Sequence, residues 1–126
     1  MPNEVVLNIF VTTLIRINNL NRMAVEQITD AEFAQKLNEQ EKVVVKYYAD
    51  WCGSCRLFTP KYKRLSNDDR FAGISFLDVN AEKNPEARKA AGVSSLPFFA
   101  IFKNGEFVEG IASSKEESVV DLITKL

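Results

Sequence analysis

The sequence predicts an α/β fold in which a central mixed β-sheet is flanked by helices on both faces. Three observations support this prediction. Helical and strand patterns alternate from residue 29 to residue 123, two strand segments are almost continuously apolar, and an Asn-Gly pair lies between the last two strands. An apolar strand needs cover on both faces, and an Asn-Gly pair indicates an antiparallel hairpin. The sheet is therefore expected to be mixed and to be covered by helices.

The first half of the pattern contains a helix, a strand and a second helix. Thr29 and Glu32 have the spacing of a capping box, so the first helix is expected to begin there. Residues 43–48, VVVKYY, form a β-branched and aromatic run that predicts a strand buried on both faces. The helix that follows the cysteines is expected to bend at Pro60. Its predicted apolar stripe consists of Leu57, Phe58, Tyr62 and Leu65.

The second half of the pattern begins with a strand and a helix. Residues 74–79 predict a second buried strand. Asn84 and Pro85 mark the start of the next helix, because asparagine is a preferred N-cap and proline is favoured at the first helical position. Gly92 is expected to end that helix, since glycine readily adopts the left-handed conformation of a C-cap.

A hairpin and a last helix complete the predicted fold. Residues 98–102 and 107–111 are the expected strands of the hairpin, and Asn104-Gly105 is its turn. The last helix is expected to begin at Ser113, because Glu116 follows it at capping-box spacing. Its predicted apolar side consists of Val119, Val120, Leu122 and Ile123.

Length and composition narrow the classes of function. The chain has 126 residues, a net charge of −1 and no histidine. This length suits one domain with a single core. The small net charge argues against nucleic acid or an anionic membrane as a partner, because both usually require a basic patch. Without histidine, Ser-His-Asp catalysis, Cys-His catalysis and His-ligated zinc are excluded.

The aromatic residues predicted in the core are Tyr47, Phe58, Phe76, Phe99 and Phe102.

Residues 1–22 form an N-terminal extension of unknown role, and the domain is predicted to span residues 23–126. The stretch VVLNIFVTTLIRI is too short to cross a bilayer and is interrupted by Asn8 and Arg16. It also fits poorly to the charge pattern and the small-residue cleavage site of a signal peptide. Three interpretations stay open: an additional strand, a helix packed on the domain, or sequence upstream of a true start at Met23.

The chain has only two cysteines, Cys52 and Cys55, separated by Gly53 and Ser54. A disulfide between them would close a very short loop and would therefore contribute little stability as a cross-link. A structural zinc ion needs four ligands, two more than this pair supplies, and an iron–sulfur cluster would need a second subunit. Redox chemistry is therefore the preferred interpretation.

The predicted elements around the pair favour thiol chemistry. A strand before it and a helix after it put Cys52 at a helix N-terminus, where free N–H groups and the helix dipole favour thiolate over thiol. Cys55 is expected one turn further into the helix, within reach of a mixed disulfide on Cys52. The small residues Gly53 and Ser54 leave space for a bulky partner.

Several motifs resemble those of the thioredoxin family over residues 24–126. They are ADWCGSCR at residues 49–56, Pro60, DVN at 78–80, GV at 92–93, SLPF at 95–98, KNG at 103–105 and Gly110. The resemblance implies the thioredoxin fold and thiol–disulfide exchange, with Cys52 as the nucleophile and Cys55 as the resolving thiol. It also implies that Pro97 is cis and lies beside the cysteine pair. The backbone of Leu96, just before that proline, is then expected to pair with an extended substrate segment.

Other residues have both a functional and a structural interpretation. Trp51 resembles the family's rim tryptophan that contacts partners, and the alternative is an aromatic residue in the core. Gly110 and Ile111 match the loop that completes the family's apolar docking surface. The alternative for these two is a glycine at a strand end with a buried neighbour. Glu82 and Lys83 are interpreted as solvated helix surface.

Two residues depart from the family pattern. Ser54 stands where the family usually has proline, and because proline stiffens the turn, serine is expected to change the relative stability of the reduced and oxidised forms. Lys46 stands at the position of the family's buried acid, which is thought to help deprotonate the resolving cysteine. A buried ammonium must find a partner, reach water or lose its proton. We hypothesise that Lys46 tunes the thiolate charge or binds a nearby acid; the alternative is a lysine that reaches water and has no catalytic role.

Together these features predict a thiol–disulfide oxidoreductase that reduces protein disulfides through Cys52 and Cys55. By resemblance, its electrons are expected from an NADPH-dependent flavin reductase, and no bound cofactor or metal is implied. The expected partners are disulfide-containing client proteins and that reductase, with neither nucleic acid nor a membrane among them, and the expected state is a cytoplasmic monomer. Two alternatives stay open: a disulfide oxidase or isomerase, and a non-catalytic binding module.

Overall fold

The computed structural model describes residues 25–126, so the predicted extension at residues 1–22 lies outside the described part of the chain. The five strands are β1 (Glu26–Gln27), β2 (Lys42–Tyr48), β3 (Ser75–Asn80), β4 (Phe98–Lys103) and β5 (Glu106–Ala112). The helices are α1 (Asp30–Glu39), α2 (Gly53–Ser66), α3 (Pro85–Ala91) and α4 (Glu116–Ile123), with a 3₁₀ turn at Asp69–Phe71.

The strands form one mixed sheet in the order β1-β3-β2-β4-β5. Strand β3 pairs in parallel with β1 and β2, whereas β4 pairs antiparallel with β2 and β5. This architecture confirms the predicted α/β fold and its mixed sheet. Strand β1 is an addition, because the sequence patterns predict no strand there.

Apolar side chains cover both faces of the sheet, as the run in β2 predicts. Val45 belongs to a cluster that includes Phe33 of α1 and Ala87 of α3. Its neighbour Val44 belongs to the cluster on the opposite face, together with Phe58 of α2 and side chains of α4. Successive residues of a strand point to opposite faces, so β2 lies in the centre of both cores. All five aromatic residues predicted in the core are buried.

Helix α2 buries one face and exposes the other. Its buried residues are Cys55, Phe58, Tyr62, Leu65 and Ser66. The Tyr62 hydroxyl lies 2.8 Å from the carbonyl oxygen of Leu77 and 3.1 Å from that of Val44, which ties the helix to β3 and β2. The prediction that Leu57 belongs to the buried stripe is wrong, because its side chain is 76% exposed. Leu57 precedes Phe58 by one residue and is therefore rotated about 100° away from the buried face.

The helix boundaries agree with the predictions except at α4. Thr29 is the N-cap of α1, although its hydroxyl donates to Glu32 Oε1 at 3.0 Å instead of capping a backbone N–H. Helix α4 begins at Glu116 with Lys115 as N-cap, so the predicted start at Ser113 is wrong. The Ser113 hydroxyl instead accepts the N–H of Lys115 at 3.1 Å. This local turn places the N-cap at Lys115, two residues after the predicted N-cap Ser113.

The remaining turns follow their predicted residues. Asn84 is the N-cap of α3, and Gly92 ends this helix with a φ of 61°. Asn104 and Gly105 both have positive φ values, 53° and 83°, as a two-residue hairpin turn requires. Glu82 and Lys83 are exposed but lie in the turn before α3, so their assignment to helix surface is wrong. Within residues 25–126, no helix is long and apolar enough to cross a membrane.

Candidate functional site

The cysteine pair lies where the central strand leads into a helix. Strand β2 ends at Tyr48, a short turn follows, and Cys52 is the N-cap of α2. The Cys52 N–H donates to the carbonyl oxygen of Ala49 at 3.1 Å, which holds the turn. Cys52 and Cys55 form a disulfide bond, with their Cα atoms 5.3 Å apart. The predicted strand–turn–helix setting of the pair is thus confirmed.

The N-terminus of α2 directs polar hydrogens at the sulfur of Cys52. The backbone N–H of Cys55 donates to Cys52 Sγ at 3.2 Å, and the Ser54 hydroxyl lies 3.5 Å from the same sulfur. Such donors, together with the positive end of the helix dipole, stabilise a thiolate when the disulfide is reduced. Cys55 lies inside the helix and is as fully buried as Cys52.

The surface around the disulfide is formed by exposed side chains. Trp51 is 68% exposed, which excludes a core position, and its indole N–H donates to Glu82 Oε1 at 2.6 Å. Gly53 and Ser54 are also exposed, and a Cβ built on Gly53 meets no atom within 4 Å. Together these residues make an accessible rim that combines an aromatic side chain with small residues.

The segment before β4 closes the other side of the pair. The Leu96–Pro97 peptide bond is cis, in agreement with the sequence prediction. The half-buried side chain of Leu96 packs against the small cluster formed by Ala49, Cys52 and Cys55. Leu96 is therefore beside the disulfide, on a segment that is separate in sequence from the motif.

Gly110 and Ile111 do not lie in a loop, contrary to the prediction. Both belong to β5, where Gly110 pairs with Ala100 and Ile111 pairs with Phe99. A Cβ on Gly110 would lie 2.6 Å from a ring carbon of Phe98, so the strand can carry only glycine at this point without a shift of the ring. Ile111 is half-buried and packs against the cluster under α2 and α4. The packing of Gly110 fits the structural interpretation, while the contribution of both residues to a docking surface stays a prediction.

Lys46 is buried in β2 and has a partner. Its side chain is 2% exposed, and its Nζ lies 3.5 Å from Oδ1 of Asp78, the residue directly opposite it on β3. The Lys46 ammonium also donates to the Thr59 hydroxyl at 3.2 Å and faces the ring of Tyr62 at 5.3 Å. A buried ammonium can find a partner, reach water or lose its proton. The Lys46 ammonium finds partners, the carboxylate of Asp78 and the hydroxyl of Thr59.

Asp78 is an unusual carboxylate because it is largely removed from water and one of its oxygens is buried without a hydrogen-bond partner among the described residues. Its side chain is 19% exposed, and the approach of Lys46 lacks hydrogen-bond geometry, so Oδ1 has no hydrogen-bond partner among the described residues. Burial raises the pKa of Asp78 to about 6, while the charge of Lys46 and its contact act in the opposite direction. Desolvation disfavours the charged form of an acid and so accounts for this sign.

Three residues near the pair were not assigned to the site from the sequence: Thr59, Asp78 and Glu82. The helical spacing of α2 could have indicated Thr59, one turn after Cys55, whereas Asp78 and Glu82 are brought to the site by tertiary structure. Asp78 in particular follows Cys55 by 23 residues in the sequence and comes close to it only through the pairing of β2 with β3. Within residues 25–126, no group of three or more acidic or cysteine side chains is arranged to hold a metal ion.

A family profile and two similar proteins all identify the same family. The thioredoxin family profile matches residues 24–125. Thioredoxin from Porphyra purpurea is 32% identical over 100 residues, which cover 79% of this chain and 92% of that protein. Thioredoxin-1 from Schizosaccharomyces pombe is 34% identical over 91 residues, which cover 71% of this chain and 86% of that protein.

Solved structures agree with the fold. Thioredoxin f from spinach chloroplast superimposes with a TM-score of 0.77 at 22% identity, covering 85% of this chain and 89% of that chain. A thioredoxin f2, solved in complex with ferredoxin:thioredoxin reductase, gives a TM-score of 0.72 at 25% identity, with 82% and 94% covered.

Proposed function

This chain belongs to the thioredoxin family and is an oxidoreductase with a Cys-x-x-Cys disulfide, and from that premise we propose that it reduces protein disulfides. The observation that carries the proposal is the position of the pair. Cys52 caps a helix at an accessible rim, with Cys55 behind it at disulfide distance. This arrangement suits one thiol for attack on a substrate and the other for release of the product.

The proposed reaction has two exchange steps. The Cys52 thiolate attacks one sulfur of a client disulfide, forming a mixed disulfide and releasing the other client sulfur as a thiolate. Cys55, as a thiolate, then attacks Cys52 Sγ, so that the Cys52–Cys55 bond forms and the client leaves reduced. The resulting disulfide is the form seen in the structure.

The client is proposed to dock on the rim and on the segment before β4. Trp51, with Gly53 and Ser54, would offer an open apolar surface. The backbone of Leu96, ahead of the cis Pro97, would pair with an extended client strand, as in β-strand addition. Gly110 and Ile111, near the end of β5 and paired with β4, would complete this docking surface.

The proposed electron donor is an NADPH-dependent flavin reductase, and the proposed compartment is the reducing cytoplasm. A thioredoxin f2 among the structural neighbours is bound to a reductase of the ferredoxin-dependent kind, which supports a reductase as the class of donor and leaves its cofactor to experiment. A reducing compartment keeps thiols reduced, which a disulfide reductase requires.

A turnover assay tests the proposed function. Insulin is incubated with limiting dithiothreitol, and precipitation of its reduced chain is followed with and without the protein. We expect the protein to accelerate precipitation several-fold, because a low-pKa thiol exchanges faster than a simple dithiol. The control is the same protein after alkylation of both reduced cysteines. If the unmodified and alkylated proteins give the same rate, protein-disulfide reduction is not its function.

A further inference from the structure

A cavity lined in part by charged and hydroxyl side chains lies beside Cys55. It has a volume of about 260 Å³, and its lining includes Cys55, Thr59, Lys46, Asp78 and Asp50. A single water occupies about 30 Å³ in the liquid, so this space has room for several. The cavity therefore connects the buried resolving cysteine with two carboxylates.

Resolution of a mixed disulfide requires Cys55 to lose a proton, because the thiolate is the nucleophile in thiol–disulfide exchange. The chain has no histidine to accept that proton. Of the two carboxylates that line the cavity, Asp50 is 72% exposed and lies 3.6 Å from Lys83. Asp78 is the buried one, and its Oδ1 has no hydrogen-bond partner among the described residues.

Two hydrogen bonds and an ion pair connect the helix turn of Cys55 with Asp78. The Thr59 hydroxyl donates to the carbonyl oxygen of Cys55 at 3.2 Å and accepts from Lys46 Nζ at 3.2 Å. Lys46 Nζ in turn lies 3.5 Å from Asp78 Oδ1. The ammonium thus stands between the helix turn of Cys55 and the carboxylate, and its charge favours the ionised carboxylate that a proton acceptor must be.

We propose that Asp78 accepts the proton of Cys55 through water in this cavity, and that Lys46 is a positioning residue that holds the carboxylate for it. The step follows mixed-disulfide formation, so it rests on the proposed exchange chemistry. The Cys55 S–H bond breaks and its proton passes to the Asp78 carboxylate. Cys55 then attacks Cys52 Sγ, the new S–S bond forms, and the client sulfur leaves with the electron pair. Asp78 afterwards returns its proton to the released thiolate or to solvent.

Burial gives Asp78 a pKa in the range that is useful for a proton acceptor. Facing it are Lys46 and Tyr48 from β2, Arg56 and Tyr62 from α2, and Asp50 from the turn, while β1 contributes the neutral Gln27. Burial raises the pKa of Tyr48 and of Tyr62, so both stay neutral well beyond neutral pH. With a pKa of about 6, Asp78 is ionised at neutral pH yet more basic than an ordinary aspartate.

Stopped-flow reaction of the reduced protein with dithiobis(nitrobenzoate) tests the proposal without a protein client. Cys52 releases one coloured thionitrobenzoate as it forms the mixed disulfide, and Cys55 releases the second on resolution. In the unmodified protein, we expect the rate of the second phase to rise with pH through about 6 and then to level, as Asp78 ionises. In Asp78→Asn the second phase should slow by roughly a hundredfold near neutral pH and lose this inflection, while the first phase is largely retained.

Two further variants separate a proton acceptor from a structural residue. Lys46→Met should move the inflection to higher pH, because loss of the ammonium leaves the carboxylate uncompensated. Asp50→Asn, the matched change on the same cavity, should leave both phases unchanged. An Asp78→Asn protein that keeps the second-phase rate and the inflection overturns the proposal. If that variant does not fold, an unmodified protein without an inflection near pH 6 overturns it equally.

The insulin assay tests the proposed function and the stopped-flow assay tests the proton acceptor, so a negative result in one can be told from a negative result in the other. Normal second-phase kinetics with no acceleration of insulin reduction would count against the proposed function alone. Rapid insulin reduction with no effect of Asp78→Asn on the second phase would count against the proton acceptor alone.

Discussion

Replacement of Cys55 by serine is expected to stop turnover and to leave Cys52 joined to its client. The Cys52 thiolate can still attack a client disulfide, but no second thiol is available at the 5.3 Å Cα–Cα separation that permits the internal bond. Insulin precipitation should fall to the rate given by dithiothreitol alone, since loss of one member of a catalytic pair removes the function of both. Non-reducing mass spectrometry should detect the mixed disulfide at Cys52.

Cys52→Ser should be equally inactive but should trap no client, because Cys55 lies inside α2 behind the N-cap position and lines the cavity instead of the rim. Ala34→Ser, on the exposed face of α1, is the matched control and should behave as the unmodified protein. The opposite pattern, in which Cys55→Ser stays active or Cys52→Ser traps client, would reverse or remove the assigned roles. Full function in the double variant would support the non-catalytic binding module.

Replacement of Phe99 by alanine is expected to cause the largest loss of stability outside the cysteine motif. Phe99 is fully buried, and its ring packs on Phe58 at 4.8 Å and on Tyr62 at 5.7 Å, so it joins the central sheet to α2. We expect the free energy of unfolding to fall by about 3–5 kcal/mol, the usual range for such a cavity. Urea denaturation followed by circular dichroism measures it.

Phe107→Ala is the matched control for this prediction. Phe107 is 45% exposed on β5 and contacts Phe102 at a ring distance of 5.8 Å. Because nearly half of Phe107 stays in contact with water and no cavity forms in the core, its loss should cost about 1 kcal/mol or less. Equal losses for the two variants would mean that the contact between the sheet and α2 does not carry the stability assigned to it.

The fold could be predicted because its signals are local. The β-branched run of β2 and the Asn104-Gly105 turn each specify a structure from a few neighbouring residues, and both are confirmed. Strand β1 could not be predicted in this way, since it is the two exposed residues Glu26–Gln27 and depends on pairing with β3. The error at Leu57 is of another kind. Its apolar side chain favours burial, but its position one residue before Phe58 places it on the exposed face of α2.

The residues of the site also divide into those with a local sequence signal and those brought together by tertiary structure. Cys52 and Cys55 are separated by only two residues, so the Cys-x-x-Cys motif alone identifies the pair. Lys46 could be recognised as unusual, but its partner could not be identified, because Asp78 is brought opposite it only by the register of β2 against β3. The cavity that unites them with Cys55 is a product of packing and leaves no pattern in the sequence.

The most direct measurement is a redox titration of the Cys52–Cys55 pair against defined thiol–disulfide buffers, read by mass spectrometry after alkylation. A disulfide reductase must have a stable disulfide relative to its clients, so we predict a midpoint near the thioredoxin value of about −270 mV, despite Ser54 and Lys46. A midpoint above roughly −200 mV would contradict a reductase and would favour a disulfide oxidase or isomerase.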